Sequence, residues 1–289
     1  MSGRHNILLF GPPGAGKSLL AKVANELQPP LSHSESISTT KIHSLSNNIF
    51  AIVRNRPYRS PHHSISRAAM IGDSSAHPGE ISLAHNGILF LDELPEFKRD
   101  VLESLRQPLE DKKVSIGSAR QRAVFPANFM LIATMNPCPC GYLGSNTHAC
   151  HCTMSQIKNY RHRISGPLLD RIDLHIKVST VNSSVLLKNT TVSTHEHITA
   201  KNLIRDTLDT QFKRYGKPCA DLNSAETIQY CKPSHDASLF LNDASVKLGL
   251  SARAYFKMLK LSRTIADIEQ SETVTINHVA EALQYRSII

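Results

Sequence analysis

The segment Gly11-Pro12-Pro13-Gly14-Ala15-Gly16-Lys17-Ser18 constrains this chain more than any other, because it fits the pattern G-x-x-x-x-G-K-[ST] without a mismatch. Its surroundings match too. Residues 7–10 (Ile-Leu-Leu-Phe) read as a short buried strand ending at glycine, and residues 16–27 carry helical spacing that stops at Pro29-Pro30. Between a strand and a helix, glycines let backbone N–H groups turn toward phosphate oxygens, and the helix N-terminus adds the positive end of its dipole. The expected cradle comprises Gly11, Pro12, Pro13, Gly14, Ala15, Gly16, Lys17, Ser18 and Leu19. Lys17 would reach the β- and γ-phosphates and Ser18 would ligate Mg²⁺, so ATP with Mg²⁺ is the expected ligand pair.

A second buried strand, residues 88–91, ends in the carboxylate pair Asp92-Glu93, at the strand end where open α/β sheets bind ligands. Asp92 is expected to hold Mg²⁺ through water and Glu93 to polarise the attacking water. Taken alone, the pair would equally suit a solvated acidic turn. A third buried strand over 129–134 leads to Asn136, which would orient the same water, although asparagine before proline is also a common turn former. With a fourth strand at 174–178, a helix at 100–109 and a hairpin pairing 114–116 with 123–125, the alternation predicts an α/β parallel sheet. Residues 31–64, rich in Ser, His and Asn, read as irregular or inserted structure.

After about residue 181 the pattern changes. Residues 183–223 are polar with one helical stretch near 199–213, and helices follow at 236–247, 251–270 (capped by Ser251) and 276–284. The 289 residues therefore divide into an α/β core, 1–181, and a helical unit, 182–289, with no internal repeat. No apolar run approaches the roughly 20 residues of a membrane span. The strand pattern also begins too early to leave room for a signal peptide, so a cytoplasmic protein without a membrane partner is expected.

The net charge of +9 is unevenly spread. Residues 36–72 contain no acid but hold Lys41, Arg54, Arg56, Arg59 and Arg67. Residues 112–169 also lack acids and hold Lys112, Lys113, Arg120, Arg122, Lys158, Arg161 and Arg163. Two such stretches suit a polyanion, either nucleotide phosphates or a nucleic-acid backbone, rather than an ordinary solvated surface. Of six cysteines, Cys138, Cys140, Cys150 and Cys152 fall within fifteen residues. In a cytosolic setting this reads as metal before disulfide. Four thiolates make a closed zinc site, though C-x-C is tighter than the usual C-x₂-C, with His148 and His151 as substitute ligands. Four reduced thiols on a loop are the alternative, and Cys219 and Cys231 suggest no role.

The blocks RPYRSPHHSISRAAMIG (56–72), HPGEISLAHNGILFLDELPEF (77–97), MNPCPCG (135–141), YRHRISGPLLDRIDL (160–174) and LSARAYFKMLKLSRTIAD (250–267) resemble the magnesium-chelatase-like AAA+ ATPases of the bacterial ComM/YifB competence family. The resemblance implies a P-loop NTPase sheet with a C-terminal helical lid, and a homo-oligomer, a hexameric ring with ATP between subunits. It also implies a DNA helicase that drives branch migration on single-stranded or branched DNA during natural transformation. Arg171, in LLDRID, matches the arginine finger offered to a neighbour's γ-phosphate; a salt bridge to Asp170 or Asp173 is the alternative. Arg253, in LSARAY, matches sensor 2, against an ordinary solvated helix arginine. The insert around 40–70 and the hairpin near 112–126 match two insertions of this branch, and in ring helicases such hairpins face the pore. Arg120 and Arg122 at the hairpin tip are the best phosphate contacts. With Phe125 alone nearby, backbone tracking is expected over base readout.

Members of the family carry a Lon-protease-like domain and a segment walling the adenine pocket upstream of the P-loop. With the P-loop starting at residue 11, a fragment or split gene product with weak nucleotide affinity is expected. Two other readings stay open. One is a non-catalytic remnant that binds nucleotide or DNA weakly. The other is a magnesium-chelatase subunit remodelling a metal-inserting partner, against which the basic hairpins favour DNA.

Overall fold

The structure, a computed structural model, describes residues 1–47, 51–73, 75, 77–117, 122–144, 148–180 and 194–286. Five strands form one parallel sheet: β1 (Ile7–Phe10), β2 (Tyr58–Arg59), β3 (Ile88–Leu91), β6 (Met130–Met135) and β7 (Leu174–Lys177), in the order β2-β3-β6-β1-β7. The remaining two, β4 (Lys113–Gly117) and β5 (Arg122–Pro126), pair antiparallel as the expected hairpin. Every residue of β3 and β6 is buried, as a parallel sheet covered on both faces requires.

The two-residue period of the strands sorts their side chains between two cores. Leu8, Leu89, Leu91, Leu131 and Ala133 join Met70, Ile81, Leu102 and Leu168 on one face. Leu9, Ile88, Phe90, Met130 and Ile132 join Ala21 on the other. Pairing of Phe10 with Met135 and of Leu91 with Ala133 sets the register so that Gly11, Asp92 and Asn136 emerge along one edge of the sheet.

Eight helices accompany the described core: α1 (Lys17–Glu26), α2 (His33–Asn47), α3 (Arg67–Ile71), α4 (Glu80–Leu83), α5 (Arg99–Ser104), α6 (Arg106–Asp111), α7 (Met154–Arg161) and α8 (Gly166–Leu169). Two expectations are corrected. The stretch 31–64 is not wholly irregular, since α2 occupies much of it. Its Thr39 and Ile42 are buried, and the Asn86 side-chain amide, from a residue in the left-handed region (φ 62°), donates to Ser38 Oγ at 3.0 Å and Thr39 Oγ1 at 3.2 Å. The 100–109 helix is two helices, α5 and α6, meeting at Leu105.

The helical unit comprises α9 (Thr194–Tyr215), α10 (Ser224–Cys231), α11 (His235–Leu248), α12 (Ala252–Ile268) and α13 (Ile276–Gln284). It has its own core, built on Leu222, Leu241, Met258, Leu261, Ile265 and Val279. Ser251 does cap α12, its hydroxyl accepting from the Ala254 N–H at 3.2 Å. Buried and half-buried polar contacts dock the unit onto the sheet. Lys257 meets Asp173 at 2.5 Å, Arg286 meets Asp170 at 2.7 Å, and His5 meets Thr264 at 2.8 Å. Burial alone would raise the Asp173 carboxyl, but Lys257 and His5 outweigh it and hold that carboxyl far below its ordinary value. The expected division at 181/182 falls outside the described residues. Among the described residues no helix is long and apolar enough to cross a membrane.

Candidate nucleotide site

The P-loop leaves β1 at the carboxyl edge of the sheet and turns into α1 through Gly16, which sits in the left-handed region at φ 82° where a side chain would be strained. Gly16 makes no side-chain cap, so the first N–H groups of α1 remain available to an anion at the loop. Ala15 is buried, whereas Leu19 is 65% exposed on α1. The Lys17 ammonium donates to Gly11 O at 2.7 Å, to Pro12 O at 2.9 Å and to Asn136 Oδ1 at 3.0 Å. Burial pushes this ammonium below its ordinary pKa, and Asp92 and Glu93 pull the other way. Asn136 thus does reach the P-loop lysine, across neighbouring strands β1 and β6.

The Ser18 hydroxyl donates to Asp92 Oδ2 at 3.1 Å. This hydroxyl–carboxylate pair is a hard-oxygen donor set of the kind Mg²⁺ takes when most of its other ligands are water and phosphate. The other oxygen of Asp92 is fixed by Thr134, whose hydroxyl donates to Oδ1 at 2.5 Å and accepts the Glu93 N–H at 2.9 Å. Sequence reading missed Thr134; the available signal was a hydroxyl inside an otherwise apolar buried run. Glu93 adopts φ 54°, ψ 55°, a left-handed conformation rare for a non-glycine residue and one that clusters at functional sites.

Arg171 and Arg253 lie elsewhere. They line a cavity of about 540 Å³ between core and helical unit, together with Arg4, Glu110, Lys112 and Lys257; no P-loop residue lines it. The Arg171 side chain is 10% exposed; it donates to Arg106 O at 2.9 Å and to Pro167 O at 2.7 Å, and pairs with Glu110. Arg253 donates to the other oxygen of the same carboxylate at 2.6 Å. Neither Asp170 nor Asp173, the alternative partners expected for Arg171, pairs with it; they meet Arg286 and Lys257 of the helical unit. Partial burial would raise the Glu110 carboxyl, but Arg253 and Arg171 outweigh it and lower it.

The two acid-free stretches draw counter-charges from outside themselves. Arg56 pairs with Glu35 at 2.9 Å, Arg59 with Glu80 at 2.6 Å, Lys112 with Asp221 at 3.4 Å and Arg163 with Glu96 at 3.0 Å. Lys41, Arg54, Arg67, Lys113 and Lys158 are exposed without an ion pair among the described residues. Arg120 and the side chain of Arg122 lie outside the described part of the hairpin. Cys138, Cys140, Cys150 and Cys152 do come together, their sulfurs within 4.8 Å of one another.

The model of the family "Magnesium chelatase, subunit ChlI" matches residues 1–186, and that of its C-terminal domain matches residues 196–286. The chain is 44% identical to the YifB protein of Escherichia coli K12 over 290 residues, covering 99% of this chain and 57% of that protein. It is 44% identical over 292 residues to competence protein ComM of Haemophilus influenzae, covering 100% and 57%. At 23% identity it also aligns with DNA replication licensing factor Mcm6 of Anopheles gambiae, covering 100% and 33%. The chain therefore spans a little over half the length of its bacterial relatives. A P-loop after the second-last strand of a parallel sheet, an oxygen pair facing it and full-chain likeness to these proteins have one common reading: the chain belongs to the magnesium-chelatase-like P-loop AAA+ family of ComM and YifB.

Proposed function

We propose that this chain binds and hydrolyses ATP with Mg²⁺, and that copies of it form a ring that couples hydrolysis to movement on single-stranded or branched DNA. The observation that carries the hydrolysis is the meeting of Lys17, Ser18, Asp92, Glu93 and Asn136 at one edge of the sheet. Lys17 exchanges its loop carbonyls for phosphate oxygens. Ser18 and Asp92 would hold the cation, which when bound would supply charge neutralisation to the phosphates. Glu93, its backbone fixed by Thr134, orients and polarises the attacking water, and Asn136 holds the lysine on one side of it. The ring is supported by Arg171 and Arg253, whose polar contacts all lie away from the chain's own P-loop, as groups serving a neighbour's nucleotide would. The DNA part is supported by the likeness to a competence protein and to a DNA replication licensing factor, and by the exposed Lys113 on the hairpin.

The test is ATP hydrolysis with and without single-stranded and branched DNA. Hydrolysis should rise with DNA and fall by about a hundredfold or more in Lys17→Ala and Glu93→Gln. Absence of hydrolysis in the parent chain would favour a non-catalytic remnant, and hydrolysis indifferent to DNA would remove the motor reading.

A further inference from the structure

The loop that follows Asn136 carries four thiols whose arrangement is that of a metal site. Cys138 Sγ lies 3.3 Å from Cys140 Sγ and 3.6 Å from Cys150 Sγ, and Cys140 Sγ lies 3.5 Å from Cys150 Sγ. Cys152 completes a group in which all four sulfurs lie within 4.8 Å of one another. A tetrahedral zinc with bonds of about 2.3 Å holds its sulfurs about 3.8 Å apart, so the Cys138, Cys140 and Cys150 sulfurs need move only tenths of an ångström and Cys152 at most about 1 Å. The grouping is too compact for a multi-iron cluster, in which the metals stand apart and spread their thiolates. All four are free cysteines rather than disulfides.

A backbone donor points at the sulfurs as well: the Leu143 N–H donates to Cys138 Sγ at 3.4 Å. Such a donor offsets part of the formal charge of −2 left when four thiols give their protons to solvent and bind a dication. His148, a substitute ligand on sequence grounds, instead stacks on Tyr142 with ring centroids 4.8 Å apart.

The same loop touches the nucleotide site. Gly141 is at φ 84°, and a Cβ there would stand 2.8 Å from Pro13 Cδ and 3.9 Å from Asn136 Cγ. Cys138, fully buried, is two residues beyond Asn136, whose side chain meets Lys17. We propose that Cys138, Cys140, Cys150 and Cys152 form a closed tetrathiolate zinc site that braces the loop after β6 against Pro13, and so holds Asn136 on Lys17. The bracing half rests on the ATP reading above; the zinc half does not.

Metal analysis of the chain purified without chelator should give about one zinc per chain, falling about tenfold or more in Cys140→Ser and in Cys150→Ser. Cobalt replacing zinc in the unaltered chain should give the intense visible bands of a tetrahedral tetrathiolate, a readout that needs no variant to fold. Zinc below about a tenth of an equivalent in folded protein, iron in its place, or a cobalt spectrum of mixed ligands would each overturn the site. Stripping zinc with an organomercurial, then removing the reagent with excess thiol and checking the fold by circular dichroism, should weaken binding of a fluorescent ATP analogue about tenfold, reversed by added zinc. Unchanged binding would overturn the brace while leaving the metal site. Absence of nucleotide binding before stripping would overturn the ATP reading, and the brace with it, while leaving the metal site.

Discussion

Replacing Thr134 by valine keeps the shape of a fully buried side chain and deletes one hydroxyl, so its effect isolates two hydrogen bonds. One runs to the ionised Asp92, and losing a bond to a charged group costs about 1.5–3 kcal/mol. The other receives the Glu93 N–H, which is only partly buried, so its loss sits at the lower end of the roughly 1–3 kcal/mol for an unmet donor. The pair should therefore cost about 2.5–4 kcal/mol of stability, read as a lower urea midpoint at unchanged slope. Asp92 would keep one hydroxyl donor, Ser18, and could rotate out of the plane that faces it. If orientation of that carboxylate matters to the cation, ATP turnover should drop at least about tenfold, equivalent to about 1.4 kcal/mol on the barrier, with magnesium-free nucleotide binding unchanged. Thr134→Ser restores the hydroxyl and should restore turnover, at the cost of one buried methyl. A valine variant with stability and turnover within twofold of the parent would refute the assignment of Thr134 as the residue positioning Asp92.

Three further outcomes are expected. Glu110 serves Arg171 and Arg253 at once, and double-mutant cycles read by urea unfolding should give about 0.5 kcal/mol for its pair with the 43%-exposed Arg253 and clearly more for its pair with the 10%-exposed Arg171. Equal couplings would count against burial as the deciding factor. His85, pushed down to about 4 by burial and then by Arg4, accepts the Asn128 N–H and stays neutral in the fold while the unfolded chain protonates near 6.5. Stability should therefore be lost as pH falls from about 6.5 to 4, by up to about 3 kcal/mol from this residue, and His85→Gln should flatten that fall; an identical pH profile in the variant would exclude it. Finally, Lys257→Met should destabilise the docking of the helical unit by about 3 kcal/mol or more, because it leaves the buried Asp173 carboxylate without its cation. The measurement is the urea midpoint, and a loss under about 1 kcal/mol would speak against a paired buried charge.

Strands β1 and β3 were legible as uninterrupted apolar runs of four residues, and β6 as a run broken only by Thr134; all three sit within a residue of their expected limits, whereas the two-residue β2 lies in the stretch read as irregular. The P-loop and the acidic pair were legible for a related reason: phosphate binding demands particular residue types at fixed spacing. Helix α2 was not, since its Ser, Thr and His residues carry no strong helical preference. It is held by partners distant in sequence, such as Asn86 and the carbonyl of Leu83, which receives His43 at 3.0 Å. Charge was misleading in a specific way. Acid-free stretches look unopposed along the chain, yet Glu35, Glu80, Glu96 and Asp221 reach them through space. The Glu110 clamp was invisible for the same reason: its two arginines lie 61 and 143 residues away. The cysteines were the converse, two tight pairs whose separation, 10 to 12 residues between partners, left their convergence open until the fold was known.

Asn6, just ahead of β1, ties the amino ends of three strands together. Its amide donates to the Arg171 carbonyl at 3.1 Å, its carbonyl accepts the Leu131 N–H at 2.9 Å, and its own N–H meets Asp173 at 2.8 Å. The P-loop leaves the far end of the same strand, and β1 is four residues long, about 13 Å at 3.3 Å per residue. A strand this short, hydrogen-bonded on both sides, acts as a push-rod. Few bonds separate the P-loop from Asn6, and the Asn6 amide in turn holds the backbone carbonyl of Arg171. Under the ring reading, a subunit would thus report the state of its own nucleotide through one strand to the arginine it offers its neighbour, with no lid or hinge required in between.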